Sequence, residues 1–245
     1  MEDAHEIKNI ISHSQNILIS FPKDKEEPAA CALALFYTLK ELDKNVNLAT
    51  EELPEKLKFL TPSLEYISYP KEITISLPKE RAEVSQIRYD NTEKDLKIHL
   101  SLNNGSLKKS DVNFSFEEAK PELLITIGIN DIAEVSLPPA FTEEEEDGPI
   151  VINIAKKEEN QKFGRINIVN QDKSLVDLVF SFIKTIDSDL SDKKISTSLL
   201  AGIILASDNL KQKNISLEML ETSTALIKSG ATREEIIENI YNKAS

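Results

Sequence analysis

Three ammonium groups and a handful of carboxylates stand just beyond the apolar runs of this sequence. Lys25 and Glu27 follow the run at 16–20, with Asp24 beside them. Asp131 follows Leu123–Ile127, Lys156, Lys157 and Asn160 follow Ile150–Ala155, and Asp208 follows the run at 196–206. Lysines bind phosphate as point charges, so Lys25, Lys156 and Lys157, with the Asn160 amide, make a candidate anion site. The neighbouring Glu26, Glu27, Glu158 and Glu159 also allow a plain solvated loop. Glu27, Asp24, Asp131 and Asp208 are the carboxylates from which a divalent-cation site could be assembled.

The elements that position these groups follow from periodicity. A short amphipathic helix at 3–14 precedes a buried strand at 16–20. A polar loop then leads into an apolar helix at 29–42, and a second strand follows at 46–49. Strand, loop, helix, strand is a βαβ unit, whose crossover is right-handed in nearly all proteins. A helix is expected at 52–60, ahead of Thr61-Pro62. From 66 to 116 the period drops to two: Leu96, Ile98, Leu100 and Leu102 alternate with Lys97, His99 and Ser101. Asn104-Gly105 predicts a hairpin turn there. About four short antiparallel strands are expected, with one apolar face that covers a core or pairs with another molecule. Buried strands resume at 123–127 and 150–154. Helices follow at 175–186, 196–206 and 216–228, the third ended by Gly230. Thr232 with Glu235 predicts a capping box for a last helix. The fold class is α/β: a parallel sheet with helices on both faces, residues 1–65 and 120–245, interrupted by an antiparallel β-insert at 66–119.

Composition narrows the function classes. The 245 residues carry a formal net charge of −13, which disfavours an extended nucleic acid as partner. No GxGxxG or GxxxxGK[ST] loop occurs among only 6 glycines. The one cysteine, Cys31, excludes an intramolecular disulfide within this sequence and fits a reducing compartment. It stands at the start of an apolar helix with no basic partner spelled out beside it, and reads as a packed small residue. No apolar stretch approaches the ~20 residues of a membrane span, and the acidic start MEDAHEIKN has no signal-peptide pattern. A cytoplasmic protein is expected. His5, His13 and His99 lie far in sequence from the candidate groups and read as surface histidines. The acidic run of Glu143, Glu144, Glu145, Glu146 and Asp147 reads as a solvated loop.

The stretch at 149–170, PIVINIAKKEENQKFGRINIVN, resembles the Asp-His-His (DHH) phosphoesterases, a family of oligoribonucleases and nucleotide phosphatases. Asn160, Phe163, Gly164, Ile166, Asn167 and Val169 keep that family's frame. Ala155, Lys156 and Lys157 stand at the Asp-His-His itself. The helix start CALALF (31–36), the helix LLAGIILAS (199–207) and the tail ALIKSGATREEIIENIY are also similar. The resemblance puts Phe21 at a His, Lys25 and Glu27 at two Asp, Gly128 at a strand-end Asp and Ala206 at a helix Asp. The family holds two Mn or Mg ions with these groups and closes a C-terminal substrate domain over them. This sequence retains one carboxylate, Glu27, and ends at Ser245, where that domain would follow. The resemblance therefore implies a phosphoesterase scaffold without metal or catalysis, kept as a binding or interaction module. Its partners would be a small nucleotide at the lysines, or a second copy or another protein at the β-insert. The alternative is a divergent phosphoesterase that cleaves short oligoribonucleotides or nucleotide phosphates with relocated ligands.

Overall fold

The computed structural model describes residues 2–50, 52–61, 71–92, 94–118, 120–135, 148–156, 159–187, 192–211 and 215–242. Lys157 and the acidic run at 143–147 lie outside the described residues. The chain divides into two compact units, Met1–Tyr69 with Lys120–Ser245, and Pro70–Ala119.

The first unit begins with α1 (Glu2–His13), β1 (Asn16–Ser20), α2 (Glu26–Glu41) and β2 (Asn45–Leu48). The second unit contributes β3 (Lys71–Ser76), β4 (Ala82–Asn91), β5 (Leu96–Gly105) and β6 (Asn113–Glu118). The first unit resumes with β7 (Leu123–Ile127), β8 (Ile150–Ala155) and β9 (Ile166–Val169). Helices α3 (Leu175–Ile186), α4 (Lys193–Ala206), α5 (Leu217–Lys228) and α6 (Arg233–Ile237) follow, and α6 runs on into a π turn at Glu238–Asn242.

Five strands form one sheet in the order β2-β1-β7-β8-β9, every neighbouring pair parallel. All five carboxyl ends therefore lie along one edge. Successive side chains point to opposite faces, and both faces are filled. Ile17, Ile19, Leu123, Ile125, Ile127, Ile152 and Ile154 join the main core with side chains from the helices. Leu18 and Leu124 pack on the other side with Ala49, Val135 and Val151. Burial on two faces is why these strands read as near-continuous β-branched runs.

Helix α2 is buried almost all round, from Pro28 to Leu39. Its small residues let α4 come close: a Cβ on Gly202 would lie 3.3 Å from Ala30 Cβ and 3.1 Å from Val176 Cγ2. Cys31 is fully buried within this packing.

Toward the carboxyl edge the second face turns polar. Ser20, Thr126, Asn153 and Asn167 are register partners across β1, β7, β8 and β9. Thr126 Oγ1 donates to Asn153 Oδ1 at 3.1 Å, and Asn153 Nδ2 donates to Asn160 Oδ1 at 2.9 Å. Asn160 Nδ2 donates to Ile129 O at 3.0 Å, and its Oδ1 also accepts from Lys162 N at 2.8 Å. Asn167 braces the next turn, accepting from Gly164 N at 3.0 Å and donating to Gly164 O at 2.6 Å.

Three local expectations are corrected. The segment at 52–60 forms a 3-10 helix at Glu55–Leu60, wedged under α2 with Leu57 and Leu60 buried. The capping box is absent: Thr232 makes no side-chain cap, and the Glu235 carboxylate pairs with Lys193 Nζ at 3.0 Å. Asn104-Gly105 is not a turn: β5 runs through it, with Gly105 at φ +88° opposite Ala82. The reversal lies at 92–95, closed by Thr92 N to Asp95 O at 2.9 Å and Asp95 N to Thr92 Oγ1 at 3.1 Å. In the second unit β4 and β5 thus form one hairpin, and β3 pairs antiparallel with β6.

Asn153 is fully buried between two partners. Asn153→Ala leaves the Thr126 hydroxyl and the Asn160 carbonyl short of a bond in a dry interior, at about 1–3 kcal/mol. Urea unfolding should show that loss as a lower midpoint at unchanged slope.

Candidate functional site

At the carboxyl edge, a cavity of about 390 Å³ opens between β1, β7 and β8 and the ends of three helices. Ligands in open parallel sheets bind at this edge. Lys25, Glu27, Gly128, Lys156 and Ala206, far apart in sequence, all line it, together with Asp24 and Asn130. Lys25 and Asp24 come from the loop after β1, Gly128 and Asn130 from the end of β7, and Lys156 from the end of β8. Glu27 is in the first turn of α2, and Ala206 in the last turn of α4.

Glu27 is the pivot. Its carboxylate accepts from the backbone N–H groups of Leu175 and Val176, the first turn of α3. Burial pushes its pKa above the ordinary carboxylate value, against the pull of the Lys156 ammonium and those two amides; nearby Asp177 adds a smaller upward push. Asp177 is itself buried, accepting from Ser174 Oγ at 2.5 Å and Thr222 Oγ1 at 2.7 Å. The Cys31 thiol is pushed well up by burial first, then by the charges of Glu27 and Asp177, so it is not a thiolate nucleophile.

Gly128 sits at φ +73°, and a Cβ there would lie 2.9 Å from Pro28 Cγ. A side chain at this strand end would have to displace the start of α2. Asn130 has its Oδ1 buried with no hydrogen-bond partner among the described residues.

Other predicted positions lie elsewhere. Phe21 does not line the cavity: an apolar ring, it is buried in the main core. Ala155 is fully buried, its carbonyl accepting from Asn170 N at 3.3 Å. Asn160, expected among the anion-binding groups, is turned inward as the brace described above. Of the carboxylates considered for a relocated metal site, Asp131 is committed to Ala133 N at 2.9 Å and Gln161 Nε2 at 2.7 Å. Asp208 is exposed and, like Asp131, lines no part of the cavity. His13 bonds Asn9 O at 2.8 Å on the surface of α1, and His99 pairs with Asp90 at 3.0 Å in the second unit.

The donor set does not fit a pair of divalent ions. Among the described residues, no three His, Cys, Asp or Glu side chains gather as a metal ion requires. Glu27 already faces two amides and an ammonium. Glu26 lines the same cavity but pairs with Lys56 Nζ at 3.0 Å.

Sequence reasoning missed Asp177 and the α3 amides. The signal was present as Ser174-x-x-Asp177, a helix N-cap signature, but nothing local says that this helix start meets Glu27. A larger cavity, about 890 Å³, lies beside Tyr37, Phe59 and Lys194. Burial pushes the Tyr37 phenol up to about 12, and its hydroxyl donates to Leu60 O at 2.6 Å. Size favours that cavity; the position at the carboxyl ends of the strands favours the smaller one.

No family model matches the sequence, and no curated protein matches it. Among solved structures, the chain is similar to the crystal structure of an exopolyphosphatase-related protein from Bacteroides fragilis, with a TM-score of 0.68 and 16% identity. The match covers 98% of this chain and 60% of that one, so this chain spans about 60% of its neighbour's length. The two share a fold. That agrees with the α/β fold with a parallel sheet expected from the sequence.

Because the folded state raises the Glu27 pKa, it binds that proton more readily than the unfolded chain. The charged carboxylate therefore opposes folding above its raised pKa, and the opposition fades as pH falls toward the ordinary carboxylate range near ~4.3. Glu27→Gln should raise stability at neutral pH and lose most of that gain in acid. Urea melts at pH 7 and at pH below ~4 check it.

Proposed function

We propose that this protein is a phosphoesterase-fold binding module that does not hydrolyse phosphate esters, and that its strand-end cavity takes a small phosphorylated ligand. The observation that carries this reading is the state of Glu27, the one carboxylate left at the positions of the family's ligands. It is held by two helix amides and faces the Lys156 ammonium where a metal-dependent enzyme would need a cation.

The chemistry left in the cavity supports binding better than turnover. Lys25 and Lys156 offer charge to a phosphate. The Asn130 side chain, which also lines the cavity, adds an amide group for a ligand hydroxyl or amine. A carboxylate acting as general base without a metal, whether Glu27 or its neighbours Asp24 and Glu26, supplies ~10²–10⁴-fold. Phosphate monoesters are among the slowest of uncatalysed reactions, with enzymatic accelerations up to ~10²¹. That gap favours a ligand that is held and released unchanged.

The net charge of −13 and the single buried cysteine fit a cytoplasmic site of action. Among the described residues, no helix is long and apolar enough to cross a membrane.

Two measurements test the reading. Purified protein with a dinucleotide and with a generic phosphodiester, each with and without Mn²⁺, should give no turnover above the protein-free rate. Activity that co-elutes with the protein and vanishes in Glu27→Gln overturns the proposal and establishes a divergent phosphoesterase. Calorimetric titration with a nucleoside monophosphate should show binding, weakened in Lys156→Ala by about 1.5–3 kcal/mol, the range for a hydrogen bond to a charged group. Equal affinity in the wild type and in Lys156→Ala removes the cavity from the account.

A further inference from the structure

Within the second unit, the hairpin has one apolar face that no described residue of that unit covers. In its register Tyr89 stands opposite Ile98, Ile87 opposite Leu100, Asn91 opposite Leu96 and Val84 opposite Leu102. Opposed residues share a face of the ribbon. Ile87 is 69%, Tyr89 71%, Leu96 63% and Ile98 49% exposed, so the stripe is open along most of its length. The alternate face is polar: Asp90 pairs with His99 at 3.0 Å and lies 3.8 Å from Arg88. A two-stranded hairpin is marginal by itself, and gains stability when a third layer covers its apolar face.

We infer that the covering layer is a second copy of this chain, the two hairpins packing apolar face to apolar face about a two-fold axis. Two features select a copy over a foreign partner. In a two-fold contact each patch meets itself. None of the paired positions on this face, from Val84 and Leu102 to Asn91 and Leu96, carries a charge, so self-contact brings no like charges together. The same absence gives a charged partner nothing to recognise. Secondly, the chain repels itself elsewhere. Residues 70–119 hold eight Lys and Arg against nine Asp and Glu, a net of −1 out of the chain's −13. Copies approach one another through this unit with the least electrostatic opposition.

The size of the face sets the strength. Strands at ~3.4 Å per residue and ~4.8 Å spacing give a ten-residue hairpin a projected face of roughly 34 Å by 10 Å. A standard stable interface buries ~800 Å² per partner. The dimer is therefore weak and reversible. This inference stands independently of the cavity and its ligand.

Sedimentation velocity on the full chain, over a series from low micromolar to several hundred micromolar protein, reads it directly. A reversible monomer–dimer equilibrium is expected. Tyr89→Glu and Ile98→Glu, each on the apolar face, should sediment as monomers throughout, with far-UV circular dichroism retaining the wild-type strand signal. Tyr89→Ser, a milder change, should weaken dimerisation without abolishing it. Ser101→Glu, on the polar face, should dimerise as the wild type does. A wild type that stays monomeric over the whole series overturns the inference and leaves the stripe to a foreign partner. A dimer that survives both Glu substitutions also overturns it, by locating the contact elsewhere.

Discussion

Burial of α2 is the constraint on which the first unit depends. The helix lies between the sheet and α4, and every residue from Pro28 to Phe36 is withdrawn from water. Each fully buried Leu or Phe contributes about 1.5–3 kcal/mol, so Leu33, Leu35, Phe36 and Leu39 together outweigh any polar contact in the molecule. Close approach needs small residues, which is why α2 carries Ala29, Ala30, Cys31, Ala32 and Ala34 and why α4 answers with Gly202. Fixing α2 this tightly fixes where its first turn points. Pro28 reaches Gly128, and Glu27 reaches α3, because the rest of the helix cannot move.

The electrostatics of the strand-end cavity follow from that placement. A carboxylate forced into a partly dry position must be compensated, and the start of α3 compensates it with two N–H groups and a helix dipole. Lys156 adds the opposite charge from the end of β8. Asp177, one turn into α3, works against this and is held in turn by Ser174 and Thr222. Polar contacts at the cavity therefore tie α2 to α3, and the asparagines nearby hold backbone in place. Asn160 ties its loop to β8 and to Ile129; Asn167 closes the turn at Gly164. Scaffold groups and chemical groups occupy the same short stretch but answer to different demands: the first to burial, the second to a ligand.

Much of this architecture is set by the sequence alone. The apolar runs at Asn16–Ser20, Leu123–Ile127 and Ile150–Ala155 fix those strands, since a strand buried on both faces is apolar at most positions. The run at 29–42 fixes α2, and the change to period two fixes the β-insert as antiparallel, with one apolar face. These are local properties, and a local pattern reports which way each side chain points. Only the tertiary structure decided which groups meet. Phe21 went to the core, Asn160 to a brace and Glu27 to amides of a helix that begins at Leu175, because each partner is distant in the chain. The turn at Asn104-Gly105 failed for the same reason: a dipeptide suited to φ > 0 serves equally at the end of a strand, and pairing with Ala82, not the dipeptide, chose between the two.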